Sequence, residues 1–528
     1  MTPETFSREP TGERFSTNFT SHMAVSSVMH PLPVANRGPL SRLAALLYTA
    51  LTAQIANYYG RCIMQIHFHG ATQTVTGSLH EIRFHASADR TILLDVGLFQ
   101  GPREMARQIN SNFQLDPKSV HAVILSHAHQ DHCGNLPNLA KQGFSGPIYC
   151  TRATAAIAAL MLMDSAKIQE EDAAYLNQKT VKSWKHNNKS IQPLYTREDA
   201  EKAISLFKPL EYRELLDLGG GTVELRDAGH TLGSASVRLT ETAGVGGTTK
   251  KLVFTGDVGR RHSPILREPD PFNAADALIT ECTYGGKRHT PISQVPIQLT
   301  EVINQTAKRN GILMIPAFAL GRTQSVVQVI HELRLRNKIP QKLPIYVDSP
   351  LATRITEVHR RFSNLFDDAT RAMTQPFDFP NLTYVGSPDQ SRALNTMRGP
   401  FIVIAGSGMC EAGRILHHLK HHITDPRNMV LLPGYQAVHT LGWRIQNRDQ
   451  EVPILGDMIP LRCQVEEMHG LSAHADGKEL LHFTKSLKNA RTYLVHGEIP
   501  QAQAHEKTLR AAGFANVAIP IRGDVADV

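Results

Sequence analysis

Residues 126 to 134 read SHAHQDHCG, so four metal-capable side chains, His127, His129, Asp131 and His132, fall within six positions. Imidazoles and carboxylates at that density suit zinc, or manganese or iron where the carboxylate share is high. In extended chain His127 and His129 point to one side. Asp131 and His132 follow as the chain turns into CGNLPNLAKQG, which reads as a short helix. A loop between a strand end and a helix start can aim two ligands at one ion and two at a neighbour. Two ions need more ligands than one loop holds, so the fold has to bring distant segments to this place.

Candidate segments share one design. His230 lies in DAGHTLGSAS, Asp257 in FTGDVGR and His496 in TYLVHGE, each after an apolar run and beside glycine. A carboxylate placed as Asp257 is can bridge two cations. Asp95 in LLDVGLFQG suits a supporting role, gripping a ligand histidine by its other ring nitrogen. The runs TILLDVG, VHAVILSHA, KLVFTGDVG and DALITECTYG predict buried strands with polar residues at their C-terminal ends. TRATAAIAALMLMDSAKIQEEDAAYLNQ predicts a helix. Over residues 311–435 the strands GILMIPAF, LPIYVDSP, PFIVIAGSG and NMVLLPGY alternate with helices after Gly321, Pro350 and Glu411. Such alternation predicts a second, parallel α/β layer.

At 528 residues the chain exceeds one ordinary core, and two or three domains are expected. A net charge of +8 permits a polyanionic partner without requiring one. The six cysteines form no CxxC pair, which excludes a disulfide framework and points to a reducing, cytoplasmic setting. Residues 1–63 are rich in Ser, Thr and Pro and contain no Lys. Their one apolar stretch, Leu43 to Asn57, is too short and too polar to span a bilayer, and no membrane partner is expected. An N-terminal extension that the fold can dispense with is the reading there, with the first strand opening near Met64.

The set Asp95, His127, His129, Asp131, His132, His230 and Asp257 resembles the metallo-β-lactamase superfamily of dinuclear metallohydrolases. The resemblance implies an αββα sandwich with metals at one edge. It implies one ion on His127, His129 and His230, the other on Asp131, His132 and His496, and Asp257 between them. From Asp257 to His496 the chain runs 496 − 257 = 239 residues, far more than a loop requires. Glu281 in TECTYGG, His474 in GLSAHAD and His496 in VHGE then resemble, in order, motifs A, B and C of the β-CASP nucleic-acid hydrolases. PAFALGRTQ, DSPLA, GSGMCEAGR and GYQAVHTLG are similar to bacterial and archaeal members. Departures are small: Gln130 where Leu is common, Cys282 where Ser is frequent, and His439 and Trp443 where Gly and Arg are usual. The implied domains are a metallo-β-lactamase part at 64–286, a β-CASP cap at 287–465 and a returning metallo-β-lactamase part at 466–528.

Phosphodiester hydrolysis accounts for such a set. Two cations stabilise charge gathering at phosphorus and bring a bridging water toward a pKa of about 7, making a hydroxide that attacks in line. The resemblance implies two zinc ions, with manganese as a substitute. Asp131, Glu281 and His474 are the expected catalytic residues, His474 as general acid held cationic by Glu281. At the cap's strand ends, Arg322, Ser349, Gly406, Gly408 and Arg414, with Ser472 beside His474, are the expected substrate contacts. HHLKHH, residues 417–422, is expected to be a solvated helix face. Within the resemblance a histidine at motif C accompanies RNA-directed members, so the expected partner is RNA, preferentially single-stranded. Cleavage is endonucleolytic, 5′-to-3′ exonucleolytic or both, and a homodimer is allowed. Two other readings stay open: a small-molecule ester, thioester or lactone hydrolase on the same core, and a non-catalytic RNA-binding scaffold.

Overall fold

A computed structural model of the chain describes residues 64–85, 90–182, 190–241 and 249–528. The N-terminal extension expected at residues 1–63 lies outside them. Among the described residues no helix is long and apolar enough to cross a membrane.

Among the described residues, two seven-stranded sheets and one six-stranded sheet, with a two-stranded ribbon beside them, organise the chain. The first seven-stranded sheet runs Val525–Asp527, Gln65–Phe68, His80–Phe84, Arg90–Leu94, Ala122–Ile124, Ile148–Thr151, Phe207–Leu210. The second runs Val517–Ala518, Arg491–Val495, Ala277–Glu281, Lys250–Phe254, Ala235–Glu241, Gly221–Asp227, Leu215–Asp217. Their facing side chains form one core: Ile66, Phe68, Ile82, Phe84 and Leu94 meet Val223, Leu225, Val237, Leu252 and Phe254. Each such side chain contributes roughly 1.5–3 kcal/mol when taken out of water. Ala277–Glu281 is buried along its whole length because parallel neighbours flank it on both edges. The helix Arg152–Lys182 buries Ala153, Ile157, Ala158, Leu162 and Ala166, a stripe at helical spacing. The whole is the expected αββα sandwich.

The second layer is fully parallel, in the order Leu382–Tyr384, Ile345–Asp348, Phe401–Ala405, Ile312–Pro316, Met429–Leu432, Gln464–Glu467. Four of these strands are the four expected from sequence. Leu382–Tyr384 is a three-residue edge strand of half-buried character and Gln464–Glu467 a polar, mostly exposed one, and neither has an apolar run to betray it. The second layer is inserted between Ala277–Glu281 and Arg491–Val495, which stay neighbours in the sheet, and by Ala475 the chain is again packed on Val258 of the sandwich. Glu281 pairs with Val495 in register, so motif A and His496 emerge side by side at one strand end.

Candidate metal centre

The residues around SHAHQDH are held by tight backbone packing. A Cβ on Gly97 would lie 1.7 Å from the Asp131 carbonyl oxygen, and one on Gly259 would lie 1.8 Å from that of Gly229. Only glycine at these two places lets the Asp131 and His230 loops come so close. Asp95 and His496 both adopt left-handed backbone, with φ of 59° and 48°. For residues with a Cβ this costs about 1 kcal/mol each, strain the surrounding structure sustains.

Donor atoms converge from four segments. His127 Nε2 lies 3.0 Å from His129 Nδ1, which lies 3.2 Å from His230 Nε2. His132 Nε2 lies 3.2 Å from His496 Nε2, which lies 3.4 Å from Asp131 Oδ2. Asp257 Oδ2 stands between the groups, 3.5 Å from His127 and His230 and 3.4 Å from His132, while Oδ1 is 3.4 Å from His496 Nδ1. Asp257 Oδ1 is buried and accepts no hydrogen bond. Supporting contacts orient the rings. His132 Nδ1 meets Asp95 at 2.7 Å, and Asp95 is itself gripped by Ser126 and Ser78. Thr283 Oγ1 sits 3.0 Å from His496 Nδ1.

These residues fit metal ions. Burial drives the pKa of His127 and His230 far down and that of His129 to about 4, so all three rings are neutral near pH 7, the form that binds metal. Ring nitrogens 3.0–3.2 Å apart either share a proton between neutral rings or turn their lone pairs to a common cation. Burial acts to raise the Asp257 carboxyl, but the surrounding histidines, His132 first, outweigh it and keep Asp257 ionised. His127, His129, His230 and Asp257 can hold one ion, and Asp131, His132 and His496 another. Asp257, Glu281, His474 and His496 could also group. His474 is better understood as an ion-pair partner: its Nδ1 lies 3.2 Å from Glu281 Oε2, and Glu281 also accepts from the Val258 amide at 2.6 Å. Burial alone would lower its pKa; Glu281 and Asp257 outweigh that and raise it to about 9. Cys282, in the place of a frequent serine, donates its thiol proton to the Val495 carbonyl.

The expected substrate loops behave differently. Arg322 opens the helix Arg322–Leu335, and its Nη1 is buried without a hydrogen-bond partner. Arg414 is engaged: it pairs with the buried Asp348, which also binds His418 at 2.7 Å and Ser391. Ser349 caps the helix Pro350–Arg361, accepting from the Ala352 amide. Gly406 accepts from the Ile415 amide at the start of the helix Ile415–His422. Gly408 makes room for the Phe318 ring, which a Cβ there would meet at 2.7 Å. Ser472 donates weakly to the His474 carbonyl, 3.4 Å away. The solvated face expected at residues 417–422 needs correction. His417 and His421 are exposed, but His418 and His422 are buried and bonded to Asp348 and the Leu394 carbonyl. The helix packs against the cap sheet on that side, and each ring finds an acceptor inside. His439 has φ of 73°, which explains why glycine is usual there. Ser78, Ser126 and Thr283 are not singled out by the sequence reading, although Ser126 opens SHAHQDHCG and Thr283 follows Cys282 in motif A.

The sandwich with ligands at one edge defines a metallo-β-lactamase-type metallohydrolase. Residues 82–286 match the metallo-beta-lactamase superfamily, 323–445 the Beta-Casp domain, and 458–520 the Zn-dependent metallo-hydrolase RNA specificity domain. The chain is 38% identical over 454 residues to Ribonuclease TTHA0252 of Thermus thermophilus, covering 85% of this chain and 97% of that protein. Over 442 residues it is 30% identical to Cleavage and polyadenylation specificity factor 73 of Drosophila melanogaster, covering 83% of this chain and 60% of that one. Transcription termination factor FttA of Methanocaldococcus jannaschii is 28% identical over 453 residues, covering 83% and 68%. The chain belongs to the β-CASP family of metallo-β-lactamase-fold nucleases.

Proposed function

We propose that this protein is a zinc-dependent ribonuclease. The observation that carries the reading is the meeting of two donor groups on Asp257 beside the Glu281–His474 pair. Membership of the β-CASP family and the match to an RNA specificity domain supply the substrate class. The same match disfavours a small-molecule ester, thioester or lactone hydrolase, and the full donor set disfavours a non-catalytic scaffold.

His127, His129 and His230 would hold one zinc ion and Asp131, His132 and His496 a second, with Asp257 shared. Bound there, the ions supply Lewis-acid stabilisation of the phosphate and a water of lowered pKa. Asp95 keeps His132 in the tautomer that presents Nε2. Asp131, the most exposed of the ligand carboxylates, also orients the attacking water. Glu281 holds His474 by Nδ1, leaving Nε2 to give its proton to the departing 3′ oxygen. Arg322 receives a phosphate oxygen, and Gly406 and Gly408 shape the loop facing it. Arg414, Ser349 and Ser472 act on substrate through the loops they brace. Manganese can replace zinc. The substrate is single-stranded RNA, cut internally, from the 5′ end, or both; the setting is cytoplasmic, and the assembly allows a homodimer.

End-labelled RNA of defined 5′ state, incubated with purified protein and zinc, tests this. Zinc-dependent cleavage, abolished by chelation and absent with matched single-stranded DNA, is the expected result. Hydrolysis of thioesters but not of RNA or bis(p-nitrophenyl) phosphate would overturn it.

A further inference from the structure

Two large exposed rings stand at the mouth of the cap without a role in the chemistry above. Phe318 is 46% exposed and Tyr435 49%. Single exposed apolar side chains are ordinary, so their placement has to carry the argument. Met314 pairs in parallel with Val430, and Phe318 and Gly434 lie four residues beyond that pair. Ile315 pairs in parallel with Ile404, which brings Ser407 and Gly408 to the same level on the other side. Three adjacent strands thus deliver Gly408, Phe318 and Tyr435 to one edge of the sheet.

Arg322 sits at that edge. The open α-face of Gly434 lies against its guanidinium, where a Cβ would come within 3.1 Å of Nη1. The same guanidinium is within electrostatic reach of Tyr284, as is Tyr435. The Tyr284 ring lies 6.1 Å, centroid to centroid, from that of His474. Tyr284 therefore neighbours the His474 ring and feels the Arg322 charge, and a ring stands on each strand flanking Arg322. Phe318 is held firmly: Thr323 bonds its carbonyl through both amide and hydroxyl, and the ring rests on Gly408. A cation lacking an internal partner, with flat apolar rings beside it, has the chemistry of a phosphate flanked by two bases. Bases can stack on such rings only when they are not paired, and stacking tolerates any base because each has a π-face.

We propose that Phe318 and Tyr435 are stacking platforms for the bases on either side of the phosphate held by Arg322, and so select an unpaired strand. The proposal rests on the ribonuclease reading and adds to it the residues that choose single-stranded over duplex RNA. The test uses the full chain loaded with zinc and a short RNA oligonucleotide, a version with abasic sites flanking the cleaved bond, and a version carrying 2-aminopurine there. Phe318→Ala and Tyr435→Ala should each raise KM roughly ten-fold on the single strand, with kcat changed far less. Phe318→Leu, which keeps apolar bulk on Gly408 but offers no ring, should match Phe318→Ala; Tyr435→Phe should match wild type. On the abasic RNA the gap between wild type and the alanine variants should close. Binding to wild type should quench 2-aminopurine, and the variants should restore its emission. Abasic sites that cost wild type and variants equally, on RNA that wild type does cleave, would overturn the platforms alone. Failure of wild type to cleave or bind the oligonucleotide would overturn the ribonuclease reading and the platforms with it.

Discussion

At the sandwich edge, side chains of one kind converge on each other: His127, His129 and His230 bring ring nitrogens within 3.0–3.2 Å, and Asp257 Oδ1 is buried without a hydrogen-bond donor. In the cap, side chains equally suited to ligands have partners already. Arg414 and His418 close on Asp348, and Ser349 on a helix end. The difference separates function from architecture more sharply than residue type does. A polar group satisfied inside the protein holds the fold, while convergent groups left unsatisfied are held for something that binds. By that rule Arg322 belongs with the sandwich edge although it lies in the cap.

The largest effect expected from this contrast is at Asp257. Asp257→Ala should reduce bound zinc from two ions per chain toward none by elemental analysis, and RNA cleavage to background. Two zinc ions retained tightly would remove its bridging role.

His474→Ala comes next. Zinc content and RNA affinity should stay nearly intact while the rate falls by roughly 10²–10⁴. RNA with a 3′-bridging sulfur, whose leaving group needs no proton, should recover much of that loss. A lack of recovery would make His474 structural.

The two cap arginines should then part company. Arg322→Ala should raise KM for RNA roughly ten-fold, the loss of one charge-assisted contact, with little change in melting temperature. Arg414→Ala leaves a fully buried carboxylate short of a partner and should cost about 1–3 kcal/mol of stability, with KM less affected. The reverse pattern, or equal effects, would break the comparison.

Smallest is the acid response of the cap. Burial, only partly offset by bonds to the carbonyls of Ile355 and Leu394, lowers the pKa of His359 and His422 from 6.5 to about 4. The unfolded chain therefore takes up these protons first as pH falls. The stability tied to their neutral form is complete above about 6.5 and is lost progressively down to about 4. His359→Gln should flatten melting temperature against pH across this window. Taking the difference from wild type separates the cap from acid loss of metal. An unchanged slope would show that His359 titrates normally.

Much of this protein was legible in the sequence because its strands are buried on both faces and read as unbroken apolar runs. The ligand-bearing residues follow those runs directly, beside glycines whose backbones come too close for any side chain. His127, His129, Asp131, His132, His230, Asp257 and His496 could therefore be picked out in order along the chain, and the long interval before His496 announced the cap. What the sequence could not determine depends on contacts between segments far apart in the chain. Edge strands such as Gln464–Glu467 carry no apolar signature, because only one neighbour covers them. Whether an arginine, serine or histidine is spent on structure or left for a ligand depends on what packs opposite it. Asp348 takes Arg414 and His418, and nothing takes Arg322 Nη1. Local composition records which groups can bond; only the packed tertiary structure decides which of them already have.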